Sequence, residues 1–437
     1  MKRPKLSVVI PTFNRLKYLK MCLESIYKHS KEVDYEIIIV DGGSTDGTRE
    51  FLLNQSDIRV RAILERKLEG ATKSANKGAK EAWGEYVCWL NDDIIVIDRA
   101  LDKMIDFLEK TEDKRIGIGT FYFTEPPYDV DDFVATYYAN FGMMRTSLMK
   151  ELNYFDESFK AYGSDPDLSL RIWGKGLCVI GCREARLIHI HVNDILRSFN
   201  SGLRGKDQEM LHKRWSGERI KKLILTIQED GRWQYLGQHQ KVNFHYECAM
   251  SYQQQNRFKE AEEEFKKALS IEGLFGKRKF EVLLPLANCY SSQGRFKEAE
   301  DRFNEILSIE RIADSQRFWL LFGLGVLYTN KGEYTKAEEE LKKALSLEPH
   351  SENLTTSIHY AIGSNYERQG KWNEAIERFN YVISNDIHRE KFKGGSHFHL
   401  GCIYKELKKE KEAKHHFKEC LKVIPEHKKA REYLEIL

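Results

Sequence analysis

A step of 38 residues runs through the second half of this 437-residue chain and restricts its fold more than any other feature. Tyr252, Tyr290, Tyr328, Tyr366 and Tyr404 recur at that step, as do Ala261, Ala299, Ala337, Ala375 and Ala413. Phe265, Phe303, Leu341, Phe379 and Phe417 keep the same register. Gly325, Gly363 and Gly401 precede their tyrosines by three residues, and Ala249 and Ala287 hold that place in the first two units. Small residues let two helices approach closely, and the aromatics fill the space between them. From about residue 243 onward strand signals vanish, so the unit is helical and must stack on its neighbours to bury its apolar face.

This array, roughly residues 243–437, resembles the tetratricopeptide repeat, whose usual unit has about 34 residues. The longer step should lengthen the paired helices by about one turn, ~6 Å. The family's bulky residue seven before the tyrosine is replaced by His245, Leu283, Leu321, His359 and His397. Pro349 and Pro425 end two units. The resemblance implies a superhelix whose concave side binds a peptide or protein partner. Pure scaffolding or a homo-oligomer contact is the alternative use.

The first half follows another rule. Leu6–Ile10, Tyr35–Val40, Arg59–Leu64 and Tyr86–Leu90 read as strands, with amphipathic helical stretches between them. Such alternation predicts an α/β domain: a mostly parallel sheet with helices on both faces. The organisation expected is 1–215 for this domain, 216–242 for a linker and 243–437 for the array. Within the connecting region Ser198–Gly202 reads as a mobile loop. Arg219–Ile227 alternates basic and apolar residues, which suits packing between domains or peripheral contact with a membrane surface.

Charge and composition remove several classes. Seventy Lys and Arg face 67 Asp and Glu, leaving no basic excess for a dedicated nucleic-acid binder. No apolar run reaches the roughly 18 residues that a membrane span needs. The apolar stretch behind Met1–Lys5 stops at Pro11, too short for a secretion signal. Eight scattered cysteines form no metal set and read as reduced core thiols, so a cytoplasmic protein is expected.

In a parallel sheet, ligands sit beyond the C-terminal ends of the strands. Neither a dinucleotide fingerprint nor a Walker-type loop is present there. The first strand runs instead into Pro11-Thr12-Phe13-Asn14-Arg15, and the second into Asp41-Gly42-Gly43-Ser44-Thr45-Asp46-Gly47. Asp41 can accept a hydrogen bond from a nucleobase N–H, whereas Asp46 reads as a helix cap. The fourth strand breaks into Asn91-Asp92-Asp93. Two adjacent acids behind a buried strand need a cation, and their oxygens suit Mg²⁺ or Mn²⁺ bridging a diphosphate.

These stretches, with Gly163-Ser164-Asp165-Pro166-Asp167, resemble family 2 glycosyltransferases of the GT-A fold over about residues 4–215. The resemblance implies a nucleotide-diphosphate sugar donor held by Pro11, Thr12, Asn14 and Asp41, with Lys73 and Asn76 on a donor-facing helix and Asp92 at the ribose. It implies a divalent metal, Mn²⁺ or Mg²⁺, on Asp93 and His189. Asn91 replaces the first acid of the family's metal motif. His191 shares a strand face with His189 and competes for the same role; His189 is the choice. Asp165 matches the catalytic base, with Ser164 where the family usually has glutamate, and a helix cap is the plainer role for it. Asp167 and Arg171 read as an i,i+4 pair. The expected reaction is inverting transfer to a peptide, protein or surface-glycan acceptor that the array helps to bind. The competing expectation is an interaction protein whose transferase-like half binds nucleotide but is weakly active.

Overall fold

The computed structural model describes residues 3–111, 115–124, 138–190, 192, 195–310, 312, 314–347, 352–385 and 390–437. His191 and Pro349 lie outside these. The eight strands are β1 (Leu6–Thr12), β2 (Tyr35–Asp41), β3 (Val60–Leu64), β4 (Tyr86–Trp89), β5 (Ile94–Val96), β6 (Ile116–Thr124), β7 (Gly142–Arg145) and β8 (Cys178–His189). They form one sheet in the order β3-β2-β1-β4-β7-β6-β8-β5. The β3-β2-β1-β4 half is parallel throughout. Beyond it β7 runs antiparallel to both β4 and β6, β6 and β8 are parallel, and β5 is antiparallel to β8.

The accompanying helices are α1 (Leu16–His29), α2 (Thr48–Leu53), α3 (Ala71–Lys80), α4 (Ala100–Lys110), α5 (Thr146–Glu151), α6 (Ser164–Gly174), α7 (Ile195–Arg214) and α8 (Gly217–Glu229). Both faces of the sheet are covered, because strands buried on two sides have apolar residues at consecutive positions. Leu6, Val8 and Ile10 pack in one cluster with Leu19, Leu23 and Ile26 of α1 and Leu101, Met104 and Ile105 of α4. On the other face α3 lies so close that a Cβ on Gly78 would stand 2.4 Å from Val9 Cγ1. All eight cysteines are free thiols, seven of them buried. Among the described residues no helix is long and apolar enough to cross a membrane.

Residues 198–202 belong to α7 and are not a loop, a correction to the sequence-based expectation. The stretch 216–242 is ordered as well. Ser216 caps α8 by accepting from Arg219 N, and Ile220, Leu223, Ile224 and Ile227 are buried. A 3-10 turn, Arg232–Tyr235, follows. Its buried Arg232 donates to the carbonyls of Trp173 and Leu177 at 2.8 Å each.

The repeats are helical hairpins. Those formed by α9 (Gln238–Gln254) with α10 (Phe258–Leu269) and by α11 (Gly276–Ser292) with α12 (Phe296–Leu307) are followed by α13 (Asp314–Lys331) with α14 (Tyr334–Ser346). Then come α15 (Glu352–Arg368) with α16 (Trp372–Asn385), α17 (Glu390–Glu406) with α18 (Glu410–Val423), and a last helix, α19 (Lys428–Ile436). The first helix of each pair has 17 or 18 residues and the second 12 to 14, so the longer step is carried by the first. The small position works as its spacing predicts: a Cβ on Gly325, Gly363 or Gly401 would lie 2.5 to 3.0 Å from the side chain of Leu341, Phe379 or Phe417 in the paired helix. Each repeat tyrosine also closes its helix. The tyrosine carbonyl accepts from the backbone N–H five residues on, at Arg257, Arg295, Glu333, Lys371 and Lys409.

The chain forms two compact units, Met1–Gly273 and Leu274–Leu437. The first hairpin therefore belongs with the sheet domain. Phe244 of α9 meets the Trp173 ring edge-on at 5.5 Å, and Tyr252 leaves no room for a side chain at Gly217. Cys248 Sγ donates to the Gly217 carbonyl at 3.3 Å. A chain cut at residue 242, where the sequence pattern changes, should expose these surfaces and aggregate or melt well below a chain cut at Gly273. Size-exclusion chromatography and thermal melts of the two truncations check this; equal behaviour would contradict it.

Candidate active site

The parallel register lines up the ends of the two leading strands. Thr12 stands opposite Asp41, and Val9 opposite Trp89. The loops that follow are stitched together by short polar side chains. Asn14, at φ 52°, accepts from Thr45 N at 2.7 Å, and its own N–H donates to Ser44 Oγ at 2.7 Å. Asp46 accepts from Leu16 N (2.9 Å) with one oxygen and from Thr48 N and Oγ1 (3.1 and 2.6 Å) with the other. It thus tethers the start of α1 as well as that of α2, but the capping residue of α2 is Gly47, at φ 93°, so Asp46 is not the helix cap its sequence position suggests. Asp41 is fully buried; its carboxylate accepts from Ser44 N at 3.1 and 3.3 Å, and Arg49 NH1 lies 3.6 Å away.

Past β4 the two acids are almost sealed from solvent, Asp92 at 3% and Asp93 at 2% exposure. Thr12 Oγ1 donates to Asp92 at 2.8 Å. Arg15 NH1 bridges the pair, 3.1 Å from Asp92 Oδ1 and 3.3 Å from Asp93 Oδ2. Burial pushes the Asp92 carboxyl up to about 6; Arg15 draws it down, and neighbouring Asp93 adds to the rise. Burial also acts upward on Asp93, but His189 and Arg15 outweigh it and hold that carboxyl below its usual value.

His189 is delivered from far along the chain by the β5–β8 pairing, which sets Ile94 opposite His189. The Ile190 N–H donates to the Asp93 carbonyl at 3.0 Å. The ring Nε2 stands 3.4 Å from Asp93 Oδ1, a buried oxygen that receives no hydrogen bond from the described residues. An orphaned buried carboxylate oxygen beside an imidazole nitrogen fits a cation. Among the described residues no three His, Cys, Asp or Glu side chains converge into a full metal cage. Asp93 and His189 would supply at most a partial shell for a divalent cation, which Mg²⁺ or Mn²⁺ can complete with other oxygens.

The residue expected as the base, Asp165, lies at the start of α6. Gly163, at φ 90°, is the cap and the helix begins at Ser164, so Asp165 lies inside the first turn and is not the capping residue. Burial raises its carboxyl to about 7, opposed by a hydrogen bond from Ser164. The loop before it is pinned by a residue that sequence reading passed over. Asp207 of α7, 3% exposed, accepts from the backbone N–H groups of Lys160 (3.1 Å), Ala161 (2.8 Å) and Tyr162 (2.8 Å). Asp167 is likewise structural, receiving Arg171 Nε (2.9 Å), Arg214 NH1 (3.1 Å) and Trp215 Nε1 (2.9 Å). The expected i,i+4 pair with Arg171 forms within that knot.

Thr12, Asp92, Asp93 and His189 are thus brought into contact, and Arg15 joins them, while Asn14 and Asp41 line the adjoining loops. Pro11 sits at the same strand end, opposite Val40. Lys73 is half-buried on α3. Asn76 is spent elsewhere: its amide donates to the Phe155 carbonyl (2.9 Å) and accepts from Phe155 N (3.0 Å). It lines a separate recess of about 440 Å³ with Arg171 and Arg214.

Residues 7–156 match the family described as glycosyl transferase family 2. The first half carries a family 2 glycosyltransferase domain. Tetratricopeptide repeats match at 242–312, 278–350 and 395–427. The transferase domain is 34% identical over 119 residues to the glycosyltransferase GlyG of Streptococcus pneumoniae, covering 27% of this chain and 39% of that protein. It is 35% identical over 105 residues to a GalNAc(5)-diNAcBac-PP-undecaprenol beta-1,3-glucosyltransferase of Campylobacter jejuni, covering 23% and 34%. The match thus spans well under half the length of these relatives. The mannosyltransferase PcManGT of Pyrobaculum calidifontis, solved with GDP-Man and Mn²⁺, aligns at 14% identity and a TM-score of 0.41, over 80% of this chain and 89% of that one.

Removing the Asp207 carboxylate from the transferase domain would strand three backbone donors. Asp207→Ala should cost about 2–3 kcal/mol in stability, and Asp207→Asn, which keeps one acceptor oxygen, less. Urea unfolding of the three proteins checks this; an Asp207→Ala midpoint equal to that of the parent would contradict it.

Proposed function

We propose that this protein transfers a sugar from a nucleotide diphosphate to an acceptor hydroxyl, with inversion at the anomeric carbon. The observation that carries the proposal is the buried Asp92–Asp93 pair, with His189 against the Asp93 oxygen that lacks a hydrogen bond among the described residues, at the C-terminal end of the sheet's parallel half. Asp93 and His189 would hold a divalent cation, Mn²⁺ or Mg²⁺, and Asp92 would face the donor's ribose. The bound cation would offset charge on the departing diphosphate. Pro11, Thr12, Asn14, Asp41 and Lys73 would line the donor site. Asn76 enters this reading only as support for the loop at Phe155, to which its amide is committed.

Asp165 would act as the base. A carboxyl held near 7 by burial accepts a proton far better than an ordinary aspartate and is still ionised in a useful fraction at neutral pH. It takes the proton of the acceptor hydroxyl as that oxygen attacks the anomeric carbon, whose bond to the diphosphate breaks with positive charge building on the ring. The array, from α11 onward, would bind the acceptor, a peptide, protein or surface glycan. Binding remote from the reacting atoms serves to position them.

Two measurements test this. Release of nucleoside diphosphate should require Mn²⁺ or Mg²⁺ and should be lost on Asp93→Ala; full turnover in excess EDTA would reject the metal. Because the base works only when ionised, kcat/KM should rise about tenfold per pH unit below 7 and level off above it. Asp165→Asn should keep nucleotide affinity and melting temperature, lower kcat by at least about 10²-fold and abolish that rise. A near-parental rate would place the base elsewhere.

A further inference from the structure

Two adjacent carboxylates sealed inside a protein need positive charge beside them in every state of the molecule. Here that charge is already in place. Arg15 NH1 reaches both acids, and the arginine side chain is itself only 11% exposed. Asp46 accepts from Leu16 N, and Leu19 N bonds to the Arg15 carbonyl, so the arginine enters α1 from a tethered backbone. The oxygen of Asp93 that Arg15 leaves unpaired is the one that faces His189.

We infer that Arg15 is a resident counter-cation of the acid pair and that it competes with a divalent metal for Asp93. A metal on either Asp93 oxygen would lie within a few ångströms of the guanidinium. Repulsion between the two charges weakens metal binding unless the arginine swings away or an anion arrives to receive it. A diphosphate is such an anion, so metal and donor would enter together. The acid pair would also stay neutralised, and the strand end intact, while the site waits. This inference rests on the metal reading of Asp93.

The test needs neither donor nor turnover. Mn²⁺ alone is titrated into the full chain, free ion is followed by electron paramagnetic resonance, and melting is recorded in EDTA. Arg15→Met should bind Mn²⁺ at least about tenfold more tightly than the parent and melt several degrees lower in EDTA, with Mn²⁺ restoring the melting temperature. Should Arg15→Met fail to fold, Arg15→Lys, whose ammonium cannot span both acids as well, should bind Mn²⁺ more tightly by a smaller factor. A folded Arg15 variant with unchanged or weaker Mn²⁺ affinity overturns the inference. Asp93→Asn separates the two levels. If parent and Arg15→Met bind Mn²⁺ equally and both lose it with Asp93→Asn, the metal reading stands and the counter-cation fails. If Asp93→Asn leaves Mn²⁺ binding in Arg15→Met untouched, both fall.

Discussion

Burying Asp92 and Asp93 side by side is the most costly act in the transferase domain, and much of its architecture answers it. A carboxylate removed from water is tolerated only when donors or cations replace the lost solvation. Those replacements come from three separate places: Thr12 at the end of β1, Arg15 at the mouth of α1 and His189 at the end of β8. Each is where it is because the sheet puts β1 beside β4 and lays β5 against β8. Strand order, register and the acid pair are therefore one problem with a common solution. The oxygen left over, Asp93 Oδ1, is buried with no hydrogen bond among the described residues and faces His189.

The surrounding loops are held for a related reason: their backbone N–H groups donate to short side chains. Asn14, Asp41, Ser44 and Asp46 tie the loops after β1 and β2 together, and Asp207 does the same for the loop before Asp165. Aspartates thus play three parts in this domain. Asp46, Asp167 and Asp207 are saturated with donors and hold structure. Asp92 and Asp93 are shared with Arg15. Asp165 has its carboxyl raised to about 7 by burial, against a hydrogen bond from Ser164.

The helical array shows a simpler economy. One small residue, one large one and one tyrosine per repeat define each hairpin, since the small residue's place is the contact of the large one and the tyrosine carbonyl ends the helix. The first hairpin is an exception in its allegiance. It buries Phe244, Cys248 and Tyr252 against Trp173 and α8, and so serves the sheet domain as a wall. Nothing in the repeat period distinguishes that hairpin from the rest.

Local order alone was enough to determine the strands β1 to β4, the helical period and the acids that follow β4. Alternation and spacing are properties of neighbouring residues, and neighbouring residues are what a sequence displays. The Asp167–Arg171 pair was legible for the same reason. Arg15 and Asp207 were not, because each acts on groups 45 to 78 positions away. Asn76 read as a donor-facing amide, yet tertiary packing turned it to Phe155, a backbone partner 79 positions on. Asp165 read as a base with a helix cap as the plainer alternative, and that alternative fell because Gly163, with positive φ, is the cap and the helix starts at Ser164. The sheet's crossovers decided which distant residues meet, and desolvation at those meeting points decided the charge each carries.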